Sequence, residues 1–299
     1  IGCSLIAYFI VGWDLRASLL TGIALSTTSM AVVYAVMLEY GFNKTNYGKG
    51  ILGSCFINDL GTVIGLGLIF APFTYRTLIF VTATIALIFV LPYITDFIIK
   101  NFAYKTAAIR AKWILFVLLS MGVMALWAGS EPVLPAYVIG MILANTMEKD
   151  THFVRRLRTL TVGFLTPLYF LRAGALMTLP ALIAAPIIFL LLFVGKVFSK
   201  IFGLYPAIRV FKHHKKEKWN YNFKKFTRER WYYTLLMSTG LTFGTISALF
   251  GLSNHIINQE QYSLIVGVVI ASAVIPTLIA NKFFLPKHVL KAPILDKVV

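Results

Sequence analysis

The chain is a succession of apolar runs separated by short basic connections. Breaking it at charge and Pro/Gly clusters gives ten segments, near 1–12, 17–38, 48–70, 75–95, 113–129, 131–146, 160–178, 181–204, 231–252 and 262–285. A bilayer-crossing helix needs about 20 apolar residues, and most of these runs are long enough. The sixth is short and holds Pro132 and Pro135. Hydrophobic residues make up 59% of the 299 and charged residues 13%, against roughly 25% charged in a soluble domain. The expected fold is an all-α polytopic membrane protein. The chain opens without Met inside an apolar stretch, IGCSLIAYFIV, which reads as a truncated helix preceded by more protein.

Charge sets an orientation. If the segments alternate in direction, one face receives the loops near 39–49, 96–112, 147–158 and 205–230 and the tail after Asn281. Those hold 23 of the 28 Lys and Arg residues. The other face receives Arg16 and Arg76, and Arg172, Lys196 and Lys200 lie within segments. The positive-inside rule makes the basic face, with the 286–299 tail, cytoplasmic. A multi-pass protein of the cell (inner or plasma) membrane is expected, with the bilayer as its partner. The run RVFKHHKKEKWNYNFKKFTRER, Arg209 to Arg230, mixes basic and aromatic residues as a nucleic-acid patch does. Lying between two spans, it reads instead as a segment resting on anionic headgroups, with Trp219, Tyr221 and Phe223 at the interface and no nucleic-acid partner. The stretch 148–160 reads as a short amphipathic helix on the cytoplasmic surface.

One carboxylate stands out against this background. Asp59 sits at the midpoint of Gly48–Phe70, GKGILGSCFINDLGTVIGLGLIF, while the other ten of the eleven acidic residues fall in loops, at segment ends or in the tail. An ionised carboxylate at bilayer depth costs at least ~2.5–3.5 kcal/mol, so an acid kept there is a candidate for binding an ion or a proton. Two other segments are polar where a lipid-facing helix should not be. The centre of 17–38 reads ALSTTSMAVV, with Ser26, Thr27, Thr28 and Ser29 consecutive, and 231–252 contains MSTGLTFGTIS, with Gly240, Thr242 and Gly244. Hydroxyls and glycines let a helix unwind and present free carbonyls, which at membrane depth is tolerated around a protected cavity. Such breaks at corresponding places in two halves point to a transport site at an inverted-repeat interface. Each broken segment precedes another span, and by the direction count the two run oppositely.

Lys196 is a second buried charge, half a turn past the centre of 181–204, and is expected to support the Asp59 site through a salt bridge or hydrogen bond. Lys200, one turn on, is expected to snorkel to the headgroups. Arg172, in LTPLYFLRAGALM, either snorkels or lines a cavity. Other function classes lack their residues. Cys3 and Cys55 offer no disulfide framework, and the five histidines fall in loops or the tail with no metal-ligand spacing. An intramembrane aspartyl protease needs two acids sharing a site, and a serine protease needs a buried His base. A channel needs an open polar pore. No enzyme and no cofactor is expected.

The polar-centred helix ALSTTSMAVV, the Asn-Asp pair of CFINDLG, PLYFLRAG, a mid-span lysine and STGLTFGTISALFG together resemble the cation/proton antiporters. The chain looks most like the monovalent cation:proton antiporter-2 branch, with its NapA-type sodium/proton antiporters and Kef-type potassium exporters. The resemblance implies NhaA/NapA-like inverted repeats with two crossed discontinuous helices, the N-terminal helices missing from this chain. It implies an ion-carrying core, about 1–70 and 181–285, and a scaffold, about 75–180, that makes a homodimer. A regulatory cytoplasmic domain outside this chain is a further implied partner, and pH homeostasis the implied role. Asp59 matches the family's ion-binding Asp, and Asn58 stands where electrogenic members carry a second Asp. Lys196 matches the lysine that pairs with that second Asp, here without its usual partner. The related electroneutral branch places Glu-Ser before the pair, where this chain has Ser54 and Cys55.

The expected activity is exchange of Na⁺, or Li⁺, for H⁺ by alternating access, with Kef-like potassium/proton exchange as the alternative. A lone buried carboxylate holds a proton or a small cation but not both comfortably, so the two compete. Hard cations take several oxygen ligands, which Asp59, Thr27, Thr28, Ser54 and water would supply. Asn58 adds an amide oxygen or holds the helix break, and Ser26 and Thr242 are further candidates. With Asn58 neutral, exchange is electroneutral if Lys196 stays protonated and electrogenic if it releases its proton when the cation binds.

Overall fold

The computed structural model describes residues 1–70, 74–102, 109–130, 132–147, 151–213, 223–287 and 289. The interior 214–222 of the basic loop and the tail beyond 289 lie outside them, so the headgroup reading of Trp219 and Tyr221 does too. Among the described residues all regular structure is helical. A short α1 (Gly2–Leu5) runs into a π-turn at Ile6–Ile10 and is followed by α2 (Leu15–Ser26), α3 (Met30–Glu39) and α4 (Asn46–Phe70). Then come α5 (Tyr75–Phe102), α6 (Ile109–Trp127), α7 (Val133–Met147), α8 (Thr151–Leu160) and α9 (Thr166–Ala175). The remainder is α10 (Leu179–Ala184), α11 (Pro186–His213), α12 (Phe223–Met237), α13 (Thr242–Ser253) and α14 (Gln259–Ile279), which ends in a π-turn at Ala280–Phe284.

Six of these runs, 15–39, 46–70, 75–98, 186–208, 226–253 and 259–284, are long and apolar enough to cross a membrane, and two shorter apolar helices cover 111–127 and 133–143. The sequence segments at 17–38 and 231–252 are each two half-helices, α2 with α3 and α12 with α13. The basic amphipathic stretch forms a short helix, α8, as expected, and α8 continues through a π-turn at Thr161–Leu165 into α9 with helical backbone throughout. Residues 161–165 contain neither a proline nor a cap to stop it.

The chain divides into two compact units, 1–62 with 176–299, and 63–175. In the first, α2 packs on α13, α13 and α11 on α14, and α11 on α12. Its core joins Val33, Met37, Phe42, Ile51 and Cys55 to Tyr232, Leu236 and Met237. In the second, α5, α6 and α7 pack together around Phe80, Leu91, Met121, Ile139 and Leu143.

Candidate functional site

In the first unit, two interrupted helices meet at their breaks. α2 stops because Thr27 turns extended (ψ 156°), and Ser29 is extended as well. Short hydroxyl side chains favour such departures by bonding nearby backbone. Thr27 Oγ1 donates to the Ala24 carbonyl (2.9 Å), and Ser29 Oγ accepts from the Val32 amide at the start of α3 (3.4 Å). The second break spans 238–241, where Thr239 Oγ1 donates to the Leu236 carbonyl (2.7 Å). Across the gap, the Ser29 amide donates to the Thr239 carbonyl (2.9 Å) and Thr28 Oγ1 to the Met237 carbonyl (2.8 Å). So close an approach leaves no room for side chains. A Cβ at Gly240 would collide with the Lys196 ammonium and stand 3.1 Å from the Thr27 carbonyl, and one at Gly244 would stand 3.0 Å from the Ala24 carbonyl.

A helix that stops in the interior leaves carbonyls without amide partners and a partial negative charge at that end. For α2 this end is met by Lys196 of α11, fully buried, whose Nζ donates to the carbonyls of Leu25 (2.9 Å) and Thr27 (3.2 Å). The counter-charge of Lys196 is thus a helix terminus. Lys200 does not snorkel: its Nζ donates to Asn58 Oδ1 (3.1 Å) and Thr28 Oγ1 (3.2 Å). Four residues of α-helix place it on the same face as Lys196, and that face looks into the site.

Asp59, on α4, is 1% exposed, and its Oδ1 has no hydrogen-bond partner among the described residues. Lys200 lies within electrostatic reach. A buried carboxylate oxygen without a donor carries a desolvation penalty that a bound proton or cation would relieve. Asn58 ties α4 to the first break, its Nδ2 donating to the Ser26 carbonyl (3.3 Å) while its oxygen receives Lys200. Ser54, one turn earlier, shares a hydrogen bond with the Tyr233 hydroxyl of α12.

The structure therefore gathers Asn58, Ser26, Thr27, Thr28 and Lys196 around the first break, with Asp59 beside Asn58 in α4 and within electrostatic reach of Lys200. Ser26 contributes its carbonyl, its hydroxyl bonding back to Ile23 (2.8 Å). Thr242 is the first residue of α13 and is half-buried. Arg172 belongs to the other unit, on α9, where it is exposed. Two residues escaped the sequence reading. Lys200 had a usable signal, its four-residue spacing from Lys196; Tyr233 had none, since only the fold brings it to Ser54. No group of three His, Cys, Asp or Glu among the described residues is placed to hold a resident metal.

Residues 1–283 match the family model described as "Sodium/hydrogen exchanger, transmembrane". Over 176 residues the chain is 25% identical to "Probable Na(+)/H(+) antiporter 3" of Methanocaldococcus jannaschii, an alignment that covers 55% of this chain and 44% of that protein. The matched part is thus less than half the length of that curated relative. With the family match running nearly end to end over a helical chain of membrane-spanning character, the protein belongs to the transmembrane sodium/hydrogen exchangers.

Proposed function

We propose that the chain exchanges a monovalent cation, Na⁺ first and Li⁺ also, for protons across a membrane by alternating access. The observation that carries this reading is Asp59, a buried carboxylate with one oxygen unpartnered among the described residues, on the helix beside two touching helix breaks. A proton satisfies that oxygen directly. A cation would take it together with the Asn58 amide oxygen, oxygens of Thr27 and Thr28, and water, after the Lys200 ammonium gives up Asn58 Oδ1 and Thr28 Oγ1. Ser54, engaged with Tyr233, would join only if that bond opened. Neutral Asn58 departs from the pattern of the electrogenic antiporter-2 members and favours one proton per cation. Unit 63–175 serves as the scaffold and homodimer side, and the first unit carries the ion. The basic connections face the cytoplasm, and the role is pH homeostasis.

The test is proton flux in proteoliposomes made with the full protein, driven in turn by Na⁺, Li⁺ and K⁺ gradients. Asp59→Asn keeps the volume and removes the titratable oxygen, and is expected to abolish cation-driven proton movement in a folded protein. Robust sodium-dependent exchange in that variant would refute the reading. Flux driven by K⁺ in preference to Na⁺ would make the protein a potassium/proton exchanger, and single-channel currents would make it a channel.

A further inference from the structure

Away from Asp59, α11, α12 and α14 share one end of the first unit, where three cations are held by carbonyls and aromatic rings. Arg230 is 8% exposed, its guanidinium 3.7 Å from the Tyr205 ring centroid and bonded to the Tyr205 carbonyl. It is spent on structure. Arg228 and Lys282 are not. Both are exposed and both converge on Phe283: Arg228 Nη2 donates to its carbonyl (3.1 Å), and Lys282 Nζ stands 5.6 Å from its ring.

The π-turn that ends α14 explains the convergence, since the last carbonyls of a helix are free and attract cations. It does not exhaust their capacity. A guanidinium has five N–H donors and an ammonium three, and among the described residues the bond to Phe283 uses one. Beside them the ring of Trp231 stacks on Phe284 (5.7 Å) and lies 4.9 Å from Tyr205, and Phe283 is 57% exposed. Spare donors next to exposed aromatic rings at a helix end match the headgroup level of a bilayer, where tryptophan and tyrosine collect and arginine and lysine attract anionic lipid.

We infer that Arg228 and Lys282 form a binding site for the phosphate of an anionic phospholipid, with Phe283 and the Trp231–Phe284 stack seated against its glycerol and upper acyl chains. The site is independent of the transported ion and lies in the ion-binding unit rather than in 63–175. Because it joins α12 to the end of α14, lipid bound there braces the helix that leads into the second break.

The test places the full protein in nanodiscs of phosphatidylcholine with increasing phosphatidylglycerol and counts retained phosphatidylglycerol by native mass spectrometry. Each cation near a charged surface is worth about fivefold in affinity. Lys282→Gln is therefore expected to lower retention about fivefold, and Arg228→Gln with Lys282→Gln about 25-fold, while Arg228→Lys with Lys282→Arg keeps most of it. Lys282 is exposed, so its single variant tests the site even if the double variant fails to fold. Unchanged retention in Lys282→Gln would overturn the inference, as would a charge-keeping variant that loses lipid as severely as the glutamines. Displacement of the lipid by millimolar inorganic phosphate would reassign the site to a free anion.

Discussion

The two helix breaks are built from similar residues and satisfied in different ways. At the first, the carbonyl end of α2 is met by the ammonium of Lys196. At the second, the carbonyl end of α12 is met by neutral donors: Thr28 on Met237, Thr239 on Leu236, the Ser29 amide on Thr239, and Ser272 on Gly240 (3.3 Å). The starting ends differ too, since Ser29 caps α3 while α13 has no side-chain cap. A lysine thus closes one break and neutral donors the other. Asn58 and Lys200 also bond to the first break.

Lys196→Met is the sharpest way to break this comparison. It strands two buried carbonyls that had a charged donor, and is expected to destabilise the protein by roughly 3 kcal/mol, read from the unfolding midpoint in detergent. A neutral or stabilising result would mean that the first break needs no charge. Gly240→Ala is expected to cost about 2 kcal/mol through overpacking, because its Cβ meets Lys196 and Thr27. Gly53→Ala, in the middle of α4 with open space around it, should instead stabilise by about 0.5–1 kcal/mol. If both shift alike, the contact between the breaks is looser than the geometry implies.

Hydroxyls offer a finer test. Thr28→Val removes the donor to Met237 and an acceptor of Lys200, and is expected to cost about 1–2 kcal/mol and to change the apparent cation affinity in the flux assay. Thr239→Val removes only a bond to its own helix end, and is expected to cost under about 1 kcal/mol with affinity unchanged. Equal effects of the two on affinity would erase the distinction between the breaks.

These contrasts mark how much was legible in the chain. Four consecutive hydroxyl residues in an apolar run, and serine, threonine and glycine in another, announce interruptions because each bond that draws the chain out of helix is itself local. Asp59 is legible because hydrocarbon penalises a carboxylate so heavily that packing alone does not keep one there. What joins them was not. The bond from Thr28 to Met237 spans 209 residues, and no periodicity in either segment encodes it. Lys200 was read outward on the general tendency of long cations near helix ends. The acceptors that hold it inward, Asn58 and Thr28, come from α4 and the first break, segments separated from it by more than a hundred residues. The merging of α8, its π-turn and α9 was hidden by a change of polarity, which marks where the environment changes and not where the helix ends.

The separation that hides these contacts also sets an order of assembly. Leu25 presents its carbonyl to Lys196, which is made 171 residues later. At about 5–20 residues per second, roughly 9 to 34 seconds pass before the ammonium is made. During that interval the end of α2 waits for its charged partner in surroundings where water is scarce. The first half must stay in the insertion machinery, or be held by lipid headgroups or other proteins, until α11 arrives. An isolated first half is therefore the expected substrate of membrane quality control, and the lysine that closes the first break also reports that the second half has been made.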